Sequence, residues 1–181
     1  MNEELEVLKS IVDKLDKAGI PYMISGSMAA NYYTVPRMTR DVDIVIELAK
    51  TDIDRFVKIF QDKFYVDADV LKTEVNNRGM FNLIHRDYVI KADFILRKPT
   101  DFQTSSFTRR NKVLIDNVSM LLISPEDLVV AKLIWAKDSH SELQLKDVAN
   151  LLRTVPTMDK GYIKEWVKKL NLEHVYGKVP A

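Results

Sequence analysis

Cysteine is absent from all 181 residues of the sequence. That absence excludes disulfide bonds, zinc–thiolate sites and cysteine nucleophiles, and it fits a reducing cytosol. An excess of charge of one sign is absent too, because 27 lysines and arginines face 26 acidic residues for a net charge of +1. Proteins that hold nucleic acid by its phosphates usually carry a large basic excess, so a tight standing complex with nucleic acid is disfavoured.

Long apolar runs are also missing. The first fifteen residues are rich in charge and lack the apolar core of a signal peptide. The longest apolar stretches, such as residues 128–136, are interrupted by Lys132 and are too short to span a bilayer. We therefore expect a cytoplasmic protein without membrane contact, folded as a single domain over residues 1–181.

The spacing of apolar residues predicts the secondary structure. Steps of three and four residues indicate helices, and short β-branched runs indicate strands. Helices are predicted over residues 2–18, 28–33, 52–62, 67–76, 124–137, 142–153 and 159–170. Strands are predicted over residues 22–24 and 41–46, in a hairpin whose second arm is 88–96, and in a second hairpin that pairs 112–115 with 118–122. This order predicts an α/β (α+β) fold, with a mixed-sheet core over 20–122 and a helical C-terminal part over 124–170.

Two acids lie two residues apart on one predicted strand. Alternate strand residues point to the same face, so Asp41 and Asp43 project together. Paired carboxylates repel each other unless a cation lies between them, and their hard oxygens suit Mg²⁺ or Mn²⁺. The alternative is that Asp41 belongs to the preceding loop while Asp43 faces solvent.

A third acid lies within an apolar strand. Apolar residues on both sides of Asp93 predict that it is buried, and a buried charge without a partner costs several kcal/mol. Either Lys91 or an arginine neutralises it, or it is the third ligand of the same metal site.

A glycine–serine pair separates the strand at 22–24 from the helix that follows. A glycine there lets backbone amides approach a ligand closely, and the helix N-terminus favours an anion. Gly26 and Ser27 therefore form a candidate phosphate-binding turn. The alternative is a simple tight turn in which Ser27 caps the helix.

Taken together, these segments resemble a known family. GSMAANYY, TRDVDIVI and KADFI are similar to the core pattern of the nucleotidyltransferase superfamily, which has the polymerase-β-like fold. The later segments SPEDLVVAKLIWAK and LKDVANLL resemble the helical tail of its small bacterial branch related to abortive-infection and toxin–antitoxin nucleotidyltransferases. The resemblance covers roughly residues 20–153.

The resemblance implies an enzyme that moves a nucleoside monophosphate from a nucleoside triphosphate (NTP) to an acceptor hydroxyl, with Mg²⁺ or Mn²⁺ as cofactor. The acceptor could be a protein side chain, an RNA end or a small molecule. Gly26 and Ser27 would hold the triphosphate, Asp41 and Asp43 would bind the metals, and Asp93 would complete the metal site and help to deprotonate the hydroxyl.

Basic residues near these segments carry further expectations. Lys132 would reach a nucleotide phosphate, although a lysine on an apolar helix can also extend to the surface. Arg37 and Arg40 precede the Asp41 strand, and either could bind nucleotide phosphate or acceptor, or pair with the acids. The tail departs from the family pattern at 139–142, where relatives carry an arginine.

Other residues are predicted to be structural. Trp135 and Trp166 fall on apolar helix faces and are predicted to lie in the core, whereas His85 is predicted to lie on the surface at a hairpin turn.

The alternative function is a domain of this fold with little catalysis that serves as a binding module or toxin–antitoxin partner.

Overall fold

A seven-stranded mixed sheet organises the part of the chain that the computed structural model describes, residues 3–39 and 41–180. The strands are β1 (Tyr22–Ile24), β2 (Asp41–Ile46), β3 (Phe64–Tyr65), β4 (Met80–His85), β5 (Lys91–Leu96), β6 (Asn111–Ile115) and β7 (Val118–Leu122). Their order across the sheet is β3-β4-β5-β2-β1-β7-β6. The pairs β2/β5 and β1/β7 are parallel and the other neighbours are antiparallel, which confirms the predicted mixed α/β fold.

Helices precede, connect and follow the strands. They are α1 (Glu3–Ala18), α2 (Gly26–Tyr33), α3 (Ile53–Phe60), α4 (Ala68–Asn77), α5 (Asp101–Thr108), α6 (Pro125–Ser139), α7 (Glu142–Thr154), α8 (Lys160–Lys169) and α9 (Glu173–Tyr176). A short 3₁₀ turn over Lys50–Asp52 leads into α3. None of the helices in the described ranges is long and apolar enough to cross a membrane.

The two faces of the sheet differ in chemistry. On β2, the residues Val42, Ile44 and Ile46 are completely buried, whereas Asp41 and Asp43 lie on the opposite face. This alternation is the period of two that a strand imposes on its side chains. The sheet therefore has an apolar face that forms the core and an acidic face that forms the site described below.

Aromatic rings fill the core between α3 and the apolar face. Phe56 and Phe60 of α3 contact the ring of Phe94 on β5 at centroid distances of 5.5 and 6.0 Å. Phe94 also stacks on Phe81 of β4 at 5.2 Å. Burial of each of these side chains contributes roughly 1.5–3 kcal/mol, which holds β5 rigidly beside its neighbours.

Helix α6 begins where its sequence predicts. The hydroxyl of Ser124 accepts a hydrogen bond from the Asp127 backbone N–H at 3.2 Å, and Pro125 occupies the first turn. The carboxylate of Asp127, fully buried, accepts hydrogen bonds from Ser124, Arg109 and Tyr162 at 2.6–3.1 Å. These contacts tie the start of α6 to α5 and α8.

The β4–β5 hairpin differs from its prediction. β5 begins at Lys91 rather than at residue 88, because Val89 adopts a left-handed backbone with φ of 54°. The prediction that His85 lies on the surface is wrong, since its ring is buried against Phe64 and Tyr88. The turn folds back over the histidine. Its Nδ1 accepts weak hydrogen bonds from the backbone N–H groups of Asp87 and Tyr88 at 3.3 and 3.4 Å.

The sequence pattern does not predict helix α5. Its segment DFQTSSFT is rich in serine and threonine, and its buried residues Phe102, Ser106 and Phe107 give only a weak amphipathic pattern. A threonine cap starts the helix, because Thr100 Oγ1 accepts a hydrogen bond from the Gln103 backbone N–H. Local capping and tertiary packing, rather than periodicity, explain this helix.

Candidate active site

Two parallel strands bring the acids together. In the β2/β5 pairing, Asp43 lies directly opposite Asp93, and Asp41 lies directly opposite Lys91. Directly paired residues of neighbouring strands point to the same face. The fold therefore places Asp43 and Asp93 side by side on one face. The Asp41 side chain, 59% exposed, lies at the outer end of β2.

Asp93 has one satisfied oxygen and one unsatisfied oxygen. Its Oδ2 accepts a hydrogen bond from Lys91 Nζ at 2.8 Å, and the same ammonium is 3.9 Å from Asp41 Oδ1. Its Oδ1 is buried with no hydrogen-bond partner. Lys91 therefore neutralises part of the acidic pair, as one alternative anticipates, but it leaves a buried carboxylate oxygen that a ligand could satisfy.

The glycine turn is shaped around Asp43. Gly26 has a φ of 58°, and a Cβ atom on it would lie 1.9 Å from Asp43 Oδ2. The Ser25 backbone N–H donates to the Asp43 carbonyl oxygen at 2.9 Å, which fixes the start of α2 beside β2. Burial raises the pKa of Asp43, and the neighbouring charge of Asp93 raises it further. A cation that binds between these two acids would therefore reduce the repulsion between their carboxylates.

Two cations are held by one acid beside the turn. Arg37 donates through Nε and Nη2 to the two carboxylate oxygens of Asp147, at 3.2 and 3.0 Å. Lys132 Nζ donates to Asp147 Oδ2 at 2.8 Å and to Gln144 Oε1 at 3.0 Å. Arg37 also donates to Ser27 Oγ at 2.8 Å, which links this cluster to the start of α2.

The protonation equilibria of the cluster follow from its geometry. Burial lowers the pKa of Lys132, although the hydrogen bond to Asp147 opposes the shift. Burial works to raise the pKa of Asp147, but hydrogen bonds from Arg37 and Lys132 outweigh it and hold that pKa below its usual range. The cluster of two cations and one carboxylate is positive by itself, and Lys132 is also attracted by the nearby carboxylate of Asp43.

The acids and the cations line one cleft of about 390 Å³. Its polar walls come from the α2 turn, the β2 and β5 acids, and Arg37 and Lys132. Its apolar wall includes Ile95 from β5, and Trp135 and Leu143 from α6 and α7. The cleft therefore combines a candidate phosphate region, a candidate metal region and an apolar region.

A family model matches residues 4–176, nearly the whole chain. It describes the family DUF2204, nucleotidyl transferase of unknown function. The chain belongs to this family. The superfamily inferred from the sequence and its nucleotidyltransferase class are thereby confirmed, whereas the toxin–antitoxin branch stays a prediction. A comparison with curated protein sequences finds no match.

Solved structures of the same fold support this assignment. The antibiotic-resistance factor ANT(2'')-Ia is 12% identical, with a TM-score of 0.63 and 97% of each chain covered. An antigenic nucleotidyltransferase-like protein from Paracoccidioides brasiliensis is 18% identical with a TM-score of 0.56, and 97% of this chain and 93% of that one are covered. The lincosamide antibiotic adenylyltransferase LnuA, solved with lincomycin, is 16% identical with a TM-score of 0.54, over 83% and 96% of the two chains. At these identities the likeness shows the fold.

The predicted site residues of this nucleotidyl transferase family member are largely gathered in the cleft. Lining residues among them are Gly26, Ser27, Asp41, Asp43, Asp93 and Lys132. Lys132 does not extend to the surface, because its side chain is buried on Asp147. Arg40 lies outside the described residues.

One residue of the cleft and one residue that binds its cations were not predicted as the structure has them. The prediction that Trp135 lies in the core is wrong, since it is 54% exposed in the cleft, whereas Trp166 is buried as predicted. Asp147 was visible in the sequence only as part of a Lys–Asp pair, and its two cationic partners are 15 and 110 residues away. An acid on the buried face of α7, beside Val148, is the signal that could have marked it.

No three acids or histidines in the described ranges lie close enough together to enclose a metal ion by themselves. Mg²⁺ commonly takes one or two carboxylates and completes its shell with substrate phosphates and water. The carboxylates of Asp43 and Asp93, with the unsatisfied Oδ1 of Asp93, fit that kind of open site. The residues therefore suit a metal that is shared with a phosphorylated ligand.

Proposed function

We propose that this chain is a metal-dependent nucleotidyltransferase that moves a nucleoside monophosphate from an NTP to an acceptor hydroxyl. The observation that carries the proposal is the buried, unpaired Oδ1 of Asp93 beside Asp43, in the same cleft as a glycine turn and two clamped cations. Most buried polar atoms in folded proteins are hydrogen-bonded, so this unpaired oxygen favours a bound ligand over a purely structural role for the acids.

The triphosphate region is supplied by four groups. Gly26 and Ser27 line the cleft at the start of α2, which is the positive end of that helix. Arg37 and Lys132 add positive charge next to this turn, and Asp147 fixes the position of both. Because these groups are already held in place, little side-chain entropy is lost when phosphate binds.

The metal region is supplied by the acids. Asp43 and Asp93, with Asp41 at the outer end of the same face, would hold divalent metal together with oxygens of the substrate phosphates. Such ions stabilise the charge that develops on the attacking and leaving oxygens in phosphoryl transfer. The carboxylate of Asp93 would also accept the proton of the acceptor hydroxyl. The acceptor oxygen then bonds to the α-phosphorus, the bond from that phosphorus to the bridging oxygen breaks, and pyrophosphate leaves.

The acceptor remains one of three classes: a protein side chain, an RNA end or a small molecule. The net charge of +1 disfavours a standing complex with nucleic acid. Two of the similar proteins are an antibiotic-resistance factor, also solved with adenylyl-2''-tobramycin, and a lincosamide antibiotic adenylyltransferase, so tobramycin and lincomycin belong among the acceptors to be tried.

The first experiment measures thermal stability with ATP, CTP, GTP and UTP, each with and without Mg²⁺. A ligand at a hundredfold over its Kd stabilises the folded state by about 2.7 kcal/mol. We expect a metal-dependent rise with at least one nucleotide in the wild type, and its loss in Asp41→Asn/Asp43→Asn.

The matched control is Asp54→Asn/Asp138→Asn, which removes the same charge at two exposed positions outside the cleft. We expect this control to respond as the wild type does. Absence of any nucleotide effect in the wild type would refute the catalytic proposal and favour a binding module or toxin–antitoxin partner of the same fold.

A further inference from the structure

An exposed tryptophan beside a charged site is the feature with no role so far. Trp135 is 54% exposed and Leu143 is 47% exposed, although α6 and α7 otherwise bury most of their apolar residues. A tryptophan side chain contributes strongly to stability when it is buried, so leaving it in an open cleft forgoes that contribution. Apolar surface of this kind often marks a ligand-binding position.

The position of Trp135 relative to the phosphate region is fixed by helix geometry. Lys132 and Trp135 are one turn apart on α6, and both line the cleft. Trp135 also lines an adjoining apolar recess of about 110 Å³, whose walls include Val45, Ile95 and Phe102. Val45 and Ile95 follow the catalytic acids by two residues on their strands, so they continue the same face of the sheet.

We propose that Trp135 is the surface on which the nucleobase of the donor nucleotide stacks. The proposal rests on the proposed function, because it requires the triphosphate to lie against the α2 turn, Arg37 and Lys132. The base is joined to that triphosphate through a single ribose, so it must lie within the same cleft. The apolar wall beside Lys132 is the part of the cleft whose chemistry suits a planar ring.

The same geometry predicts weak discrimination among bases. Gln144 and Gln103 are amide side chains near the indole, and the side-chain oxygen of each already accepts a hydrogen bond within the protein. Gln144 accepts from Lys132, and Gln103 accepts from the Lys98 backbone N–H at 2.6 Å, so neither oxygen is free to accept from a base. Stacking depends on the π-face that every base has, and it is tolerant of sequence. We therefore expect all four nucleotides to bind, with the larger purine rings binding more tightly.

The experiment uses the fact that the chain has only two tryptophans. Trp166→Phe leaves Trp135 as the sole tryptophan, and Trp135→Phe leaves the buried Trp166, so tryptophan emission reports on one site in each variant. Each variant and the wild type are titrated, in Mg²⁺, with the four NTPs and with inorganic tripolyphosphate, which has the phosphates but no base. We expect NTPs to quench the wild type and Trp166→Phe but not Trp135→Phe, and tripolyphosphate to compete with NTPs without quenching.

Affinity provides the second measurement and does not depend on Trp166→Phe folding. Trp135→Phe keeps an aromatic ring, whereas Trp135→Leu keeps apolar area without one. Loss of base stacking corresponds to about a five- to 150-fold weaker Kd. We expect that loss for NTPs in Trp135→Leu, a smaller loss in Trp135→Phe, and an unchanged Kd for tripolyphosphate in both.

Three outcomes would overturn the inference. If NTPs bind but neither quench Trp135 nor bind more weakly to Trp135→Leu, the indole faces the acceptor or another partner instead. If tripolyphosphate affinity falls equally in Trp135→Leu, the residue supports the phosphate region and not the base. If neither NTPs nor tripolyphosphate bind the wild type, the proposed function itself fails and this inference fails with it.

Discussion

The replacement of Gly26 by alanine tests how the glycine turn and the acidic strand depend on each other. A Cβ atom at this position would lie 1.9 Å from Asp43 Oδ2 and 2.6 Å from its Cγ. Ordinary van der Waals contact requires about 3.4 Å, so the carboxylate would have to retreat by more than 1 Å. The turn itself cannot relax easily, because Ser25 is hydrogen-bonded to the Asp43 backbone.

Two separable effects set the expected magnitude. The left-handed backbone at Gly26, with φ of 58°, costs roughly 1–2 kcal/mol for a residue with a side chain. Displacement of a catalytic group by about 1 Å can lower activity roughly 100-fold. Stability should therefore fall modestly, while metal-dependent nucleotide binding and transfer should fall far more.

Gly19 supplies a matched control within the same chain. It has a nearly identical φ of 64°, but a Cβ atom there would meet nothing within 4 Å. Gly19→Ala should therefore lose the same roughly 1–2 kcal/mol of stability through backbone strain alone, and keep nucleotide binding.

The assay combines urea unfolding with nucleotide-induced melting shifts in Mg²⁺, on the wild type and both variants. The reasoning is refuted if Gly26→Ala keeps the wild-type nucleotide shift. It is also refuted if Gly19→Ala loses that shift to the same extent, because the steric clash with Asp43 would then explain nothing.

Three further predictions concern charges elsewhere in the fold. Lys91→Met removes the ammonium that pairs with Asp93, so we expect a lower melting temperature without metal and a larger Mg²⁺-induced rise than in the wild type; an equal rise in both would contradict this. Burial lowers the pKa of His85, so the unfolded chain binds a proton at higher pH than the folded chain does, and stability should fall as pH drops below about 6.5. In His85→Asn, which cannot titrate, the loss of unfolding free energy between pH 8 and pH 5 should be smaller, and an unchanged loss would exclude His85 as its source. Asp127→Ala leaves the Ser124 and Tyr162 hydroxyls without their buried acceptor and should lower the unfolding free energy measured in urea by roughly 1–3 kcal/mol, whereas an unchanged unfolding free energy would contradict that assignment.

The fold could be predicted from the sequence wherever one local pattern decided the structure. The β-branched run over residues 41–46 predicts strand β2, and a serine followed by proline and two acids at 124–127 predicts the start of α6. The α5 helix could not be predicted in this way, because a serine- and threonine-rich segment has no clear period and is helical through capping and packing. The same limit applies to Val89, whose left-handed backbone shortens β5.

The candidate site likewise has features that local sequence predicts and features that it does not. A buried Asp93 follows from its apolar neighbours, and its place beside Asp43 follows from pairing of their strands. The Arg37–Asp147 pair spans 110 residues, so no local pattern contains it. An apolar helix face also could not show that Lys132 would be buried or that Trp135 would be exposed, because both depend on how α7 packs against α6.

The long sequence separation within the cleft has a consequence for biosynthesis. The three acids and the glycine turn all precede residue 94, but Lys132 and Asp147, which supply and position positive charge, are translated well afterwards. A ribosome-bound chain that ends before α6 would present the acids with Lys91 as a close counter-ion and without the later cluster. Maturation of the cleft must then await release of the C-terminal third, so a chain that stalls or is cleaved before α6 would be a poor binder of nucleotide even if its sheet had formed.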